Sequence, residues 1–101
     1  MSSLQVIPIT ADYTLTIADV NTVMLVDATS VSITITLPDI SAPVDGINYY
    51  IKRTDTTALK TVTVVGFSGS QLIDGLTSIL STKLNPRHIV SSGGNWHNIG
   101  N

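Results

Sequence analysis

The chain is written in a two-residue rhythm. From Val31 to Pro38 it runs V-S-I-T-I-T-L-P, so that Val31, Ile33, Ile35 and Leu37 alternate with Ser32, Thr34 and Thr36. Successive side chains of a strand leave opposite faces, which puts the apolar groups on one side and the hydroxyls on the other. The pattern predicts a β-strand buried on one face and wetted on the other. The same grammar marks Leu4 to Ile9, Tyr13 to Ile17, Val23 to Asp27, Asn48 to Thr54, Thr61 to Val65, Gln71 to Asp74, Thr77 to Thr82, Arg87 to Ser91 and Trp96 to Ile99. In Asn48 to Thr54 it sets Tyr49, Ile51 and Arg53 against Tyr50, Lys52 and Thr54. No segment carries a helical period.

Turn chemistry separates these runs. Pro8 has no N–H to give a ladder and confines the first run to an edge or a strand end. Pro38 stops the Val31 strand, Pro43 and Asp45-Gly46 mark a loop, Asp55 to Ala58 turns the chain, and Gly66 to Ser70 breaks the ladder. Ser92-Gly93-Gly94-Asn95 is predicted to be a hairpin turn, because glycine supplies the positive φ that tight hairpins need. Nine or ten strands at spacings of about ten residues predict one all-β domain over residues 1–101, an antiparallel β-sandwich of the jelly-roll type. One echo stands out: Thr14-Leu15-Thr16-Ile17-Ala18-Asp19 resembles Thr34-Ile35-Thr36-Leu37-Pro38-Asp39 twenty residues on. Two copies fall short of the three that a repeat architecture requires, so the echo is read as shared local chemistry.

Composition narrows the class of function. Charged residues make up 12% of the 101-residue chain, about half the usual share, and Lys52-Arg53 is the only adjacent basic pair. With a net charge of −2 there is no basic footprint for duplex DNA or anionic lipid, so nucleic acid is excluded as the expected partner. The absence of cysteine excludes disulfides and thiolate metal sites. Met1-Ser2-Ser3-Leu4-Gln5 has no basic region or long apolar stretch of a secretory signal, and no apolar run is long enough to cross a membrane. The expectation is a soluble protein, or a fragment of one, with no membrane insertion. A domain of this size buries a marginal fraction of its surface, which favours self-association.

Candidate chemistry is thin. Gly66-Phe67-Ser68-Gly69 lacks the spacing of a nucleophile elbow. Asp39, Asp45, Asp55 and Asp74 stand next to turn residues, where aspartate bonds local backbone, and there is no glutamate to complete an acid pair. Asp27, before Ala28-Thr29-Ser30, is read in the same way, with calcium ligation as the alternative. No catalytic residue and no cofactor is expected. The aromatics Trp96, Tyr49 and Tyr50, with His97, are the candidate binding residues, since sugar sites use ring faces beside polar groups. Tyr49 and Tyr50 must leave opposite faces, one for the core and one for the surface or an interface, and Trp96 either caps the core or stacks on a sugar.

The order of several short blocks resembles a small β domain of bacteriophage tail fibres, tailspikes and related virion proteins. The blocks are Tyr13 to Ile17, Leu25 to Thr29, Ile33 to Pro38, Tyr50 to Asp55, Thr61 to Val64, Ile73-Asp74-Gly75 and Ser91 to Trp96. Lys83 to Arg87 departs from the pattern, and no coiled-coil or collagen-like tract flanks the domain. The resemblance implies a β-sandwich on a virion appendage, made in the host cytoplasm. Its partners would be itself, as a homotrimer, other virion proteins, and host surface glycans. A threefold axis would also make His88 and His97 candidate axial metal ligands, independent histidines being the alternative. The functional expectation is a non-enzymatic structural or attachment module, with a monomeric carbohydrate-binding domain as the alternative.

Overall fold

The computed structural model describes residues 5–16, 22–40, 45–67, 71–82 and 86–100. They form strands β1 (Gln5–Ile9), β2 (Tyr13–Thr14), β3 (Thr22–Val26), β4 (Ile33–Thr36), β5 (Asn48–Arg53), β6 (Val62–Val65), β7 (Ser78–Ser81), β8 (Arg87–Ser92) and β9 (Asn95–Gly100). A five-stranded sheet has the order β1-β3-β5-β8-β9, and a four-stranded sheet the order β2-β4-β6-β7. The protein is all-β, with no helix among the described residues.

The antiparallel jelly-roll expectation is corrected by the strand directions. Strands β1, β3 and β5 run parallel in one sheet, and β2, β4 and β6 run parallel in the other. The chain therefore climbs as a coil, laying one strand in each sheet per rung. Among the strands of the described residues only the β5–β8, β6–β7 and β8–β9 pairs are antiparallel, and they cap the coil. Two-residue patterning fixes which face is buried and carries no information on strand direction.

The echo between Thr14 and Thr34 belongs to this coil, in a shifted register. Thr14 pairs with Thr36 rather than Thr34. A two-residue shift leaves every side chain on its own face, which is why the likeness survives it. The rungs advance unequally: Gln5 pairs with Thr22, and Thr22 with Tyr49. Corner loops of different length thus hide the repeat from any fixed period.

The inward residues of both sheets meet in one apolar cluster, with Met24, Tyr49, Ile51, Ile89 and Trp96 from one sheet and Ile33, Ile35, Val62 and Val64 from the other. Parallel register stacks like on like, as in Ile33 on Val62 and Ile35 on Val64. Val31, expected on this face, lies ahead of β4 and is 46% exposed. Gln71 to Asp74 forms no strand. Ile73 and Leu76 instead exchange two backbone hydrogen bonds of 2.8 Å around Asp74-Gly75, both at positive φ. The Ser92 to Asn95 hairpin is as predicted, with Gly93 and Gly94 at φ 65° and 80°, the signature of a two-residue type I′ turn.

β1 is a free edge of its sheet, and Pro8 guards it. The Ile9 carbonyl accepts from the Asp27 N–H at 2.9 Å, so Ile9 bonds towards β3 and the residue before it faces away. An incoming strand would meet a proline ring where it needs a donor.

Candidate functional site

The outer face of the five-stranded sheet carries an apolar row. Val6, Val23, Tyr50 and His88 are register partners across four adjacent strands, and Gly100 follows opposite His88. The Tyr50 and His88 rings stack with centroids 3.8 Å apart and planes 17° from parallel. Gly100 makes room for this stack, because a Cβ there would lie 2.9 Å from the His88 Cβ. His88 Nε2 lies 3.3 Å from Asn48 Oδ1, and burial pushes the imidazole pKa down, which favours the neutral ring. Val23, Tyr50, Lys52, Pro86, His88 and Gly100 line a groove of about 250 Å³.

The four-stranded sheet presents a different exterior. Its outward rows run Thr14, Thr36, Val65, Ser78 and Thr34, Thr63, Leu80, a surface dominated by hydroxyls. This is the wetted face that the Val31 to Pro38 pattern predicts.

The sequence-derived site residues divide between inside and outside. Trp96 and Tyr49 are fully buried, their rings 5.8 Å apart, and Tyr49 Oη donates to the Thr16 carbonyl at 3.0 Å. Neither ring offers a face to a sugar, so their place as stacking residues is corrected to core. The indole Nε1 of Trp96 has no hydrogen-bond partner among the described residues. Tyr50 and His97 do face outward. His97 Nδ1 lies 3.7 Å from Asp74 Oδ1, both side chains about half exposed. His88 and His97 sit on neighbouring strands but out of register, opposite Gly100 and Val90 respectively. Among the described residues no three metal-ligating side chains gather.

The acidic groups hold backbone and loops. Asp27 Oδ1 accepts from the Thr29 N–H, as an aspartate turn does, and Asp45 Oδ1 accepts from the Gly93 N–H at 3.0 Å. Asp74 Oδ2 accepts from Asn98 N–H at 3.2 Å. Asp39 takes a hydrogen bond from the buried Gln71 amide, whose oxygen in turn accepts from the Ile40 N–H.

Asp55 anchors the most elaborate corner. Arg53 points inward at the end of β5, where an unpaired cation is costly, and its guanidinium meets both Asp55 oxygens at 3.0 and 3.1 Å. The same carboxylate accepts from the N–H groups of Ala28 and Thr57. Chiefly through the Arg53 hydrogen bonds, its pKa sits well below the usual carboxylate range. Arg53 also donates to the carbonyls of Thr57 and Lys60, so one side chain pins both ends of the Ala58-Leu59 tip. Leu59 stands there 99% exposed, at φ 68°. That backbone region costs a branched residue about 1–2 kcal/mol. The alternating pattern groups Arg53 with Tyr49 and Ile51 without saying which set faces the core; the structure puts that set inward, where a cation calls for a buried acidic partner, and Asp55 two residues later is the nearest acid, while nothing in the pattern marks Leu59.

No family model matches this chain, and no curated protein or solved structure matches it.

Proposed function

We propose that the protein is a non-enzymatic structural and attachment module of a virion appendage, of the tail-fibre or tailspike kind, working as a homotrimer among other virion proteins. The observation that carries this reading is where the resembling blocks fall. Ile33 to Pro38 and Thr61 to Val64 supply stacked strands of the coil, Tyr50 to Asp55 supplies β5 and the Arg53–Asp55 clamp, and Ser91 to Trp96 supplies the capping hairpin. Blocks that are short as motifs are the load points of one framework. In this reading the two sheets are the layers of a sandwich wound as a coil.

The positions of the acids support a role without turnover, since Asp27, Asp39, Asp45 and Asp55 are engaged in turns and corners. The threonine face is the natural contact for host surface glycans or neighbouring virion proteins, because hydroxyls bond polar partners without demanding a charge. Three copies on one rigid platform multiply weak contacts into avidity.

The test is solution mass by light scattering across a wide concentration range. A concentration-independent trimer is expected; a strict monomer overturns the self-associating module. The second reading, a monomeric carbohydrate-binding domain, rests on the half-buried, outward-facing Tyr50–His88 stack beside its groove. It requires Tyr50→Ala to abolish binding on a glycan array while the mass stays monomeric.

A further inference from the structure

Strand β9 ends its sheet and, at six residues, is the longest edge strand among the described residues; β1 has five, β7 four and β2 two. An edge of that length is a template for another strand unless something occupies it. Here the occupant comes from the chain itself. Leu72 to Asp74 runs parallel beside β9, the Trp96 N–H donating to the Leu72 carbonyl at 2.8 Å and the Trp96 carbonyl accepting from the Asp74 N–H at 2.9 Å. We infer that this segment is a strap across the β9 edge, and that the Asp74 carboxylate is the latch that keeps a second copy of the chain from adding its own β9 there.

The backbone directions carry the argument. Groups on one side of a strand recur at every second residue, so the next outward donor after Trp96 is the Asn98 N–H. The strap's backbone turns away before reaching it, because Asp74-Gly75 reverses the chain at positive φ and Ile73 closes onto Leu76. The Asp74 side chain covers the remaining step. Its Oδ2 accepts from the Asn98 N–H at 3.2 Å, while Oδ1 lies 3.7 Å from His97 Nδ1. Asp74 stands at φ 50°, where glycine is the residue of least strain, so what aspartate adds at this place is its carboxylate. The strap is itself secured: Ile73 is fully buried in the core, and the Leu72 N–H donates to Asn95 Oδ1 at 3.0 Å. A strand arriving at β9 must offer a carbonyl to the Asn98 N–H, and it meets a carboxylate already bonded there.

The other long edges are obstructed by other means. Pro8 removes a donor from β1, and on β7 the Leu80 carbonyl accepts from Arg87 Nε at 2.7 Å. Once the latch is gone, Asn98 of one copy can face Asn98 of another, two antiparallel strands exchanging both hydrogen bonds across a twofold axis. The strap still covers Trp96 in that pairing, so the contact is short and its affinity low. This association is separate from the homotrimer proposed above, and the inference holds for a monomer and a trimer alike.

Asp74→Gly tests it, since glycine keeps the turn and removes the carboxylate. Hydrogen exchange at the Asn98 amide is expected to speed roughly tenfold to a hundredfold, as for one lost hydrogen bond to a charged acceptor, while the Trp96 amide keeps its protection. By light scattering, the variant's mass is expected to rise with concentration above that of the unaltered chain at the same concentration. The double variant D74G/N98P has no outward donor at this position, and its mass is expected to return to the unaltered value.

Unchanged exchange at Asn98, or an equal loss of protection at Trp96, overturns the latch. Faster exchange at Asn98 without any growth in mass overturns the barrier to a second copy. Growth that persists in D74G/N98P, with thermal melts showing the protein folded, places the contact elsewhere and overturns it as well. None of these outcomes bears on whether the unaltered chain is trimeric, so failure here and failure of the self-associating module are read separately.

Discussion

The coil and its cap solve the same problem by different means. In the cap, β8 and β9 run antiparallel and are joined by two glycines, so the chain reverses within a single tight turn. In the coil, parallel neighbours force the chain across to the other sheet and back between rungs, through corners that run from the three residues between β1 and β2 to longer loops. They are closed by side chains reaching over large sequence separations: Asp55 to the Ala28 N–H, Gln71 to the Ile40 N–H, and Tyr49 to the Thr16 carbonyl. The hairpin turn also takes a distant anchor, Asp45 on the Gly93 N–H, but that contact is exposed, whereas the anchors at the corners of the coil are buried or half-buried.

Removing a corner anchor should therefore hurt more than altering a turn. Arg53→Ala leaves the Asp55 carboxylate buried without its cation and is expected to cost about 3–5 kcal/mol in urea unfolding. A loss below about 1 kcal/mol, the range of an exposed ion pair, makes the clamp ornamental and erases the contrast. The same pair sets the acid response. Asp55 has a folded pKa lowered below its unfolded value, so its contribution is present above about pH 4 and is lost as pH falls below that. Arg53→Ala should flatten that acid limb.

In the cap, Gly93→Ala or Gly94→Ala forces a side chain into positive φ, with open space around it, at an expected cost of about 1–2 kcal/mol. A cost equal to that of Arg53→Ala places both regions under one constraint. His88 gives the cap its own, smaller pH dependence. Its folded pKa is lowered by burial, so the unfolded chain takes up the proton first as pH drops below about 6.5. Stability declines from there until the folded imidazole titrates, and is untouched above that range. Thermal melts of His88→Phe should lose this step and keep the one at Asp55; the persistence of both steps removes His88 as its source. Outward threonines should matter least: Thr36→Ala is expected to stay within about 0.5 kcal/mol by urea unfolding, and a larger loss makes the hydroxyl face part of the framework.

Much of the fold was legible in the alternating pattern. The inward set of β4 was readable residue by residue, and in β5 the division of Tyr49, Ile51 and Arg53 from Tyr50 and Lys52 was readable, though not which set faces the core. The Gly93-Gly94 turn was readable because its φ angles exclude most other residues. Strand direction was not, since Ile33 to Thr36 alternates identically whether its neighbour runs up or down. Nor was the partner of a face. Trp96 and Tyr50 are both aromatics at strand positions, and only the packing of one sheet face against the other sheet decides that Trp96 is enclosed while Tyr50 lies on the outer face. Leu59 was illegible for a simpler reason: its exposure is imposed by Arg53, six residues earlier, through carbonyls that any residue would have supplied.

The order of the strands, with the hairpin after the rungs, also sets a timetable. Every rung contact must close a loop across a corner, whereas β8 and β9 need only a four-residue turn, so the hairpin is the element able to form fastest. Yet β8 and β9 follow all three rungs in the chain, and β5 finds its second neighbour only when β8 arrives. During synthesis the rungs leave the ribosome before their quickest-forming partner exists. The rungs must therefore stay soluble with β5 open on one side until β8 has been made.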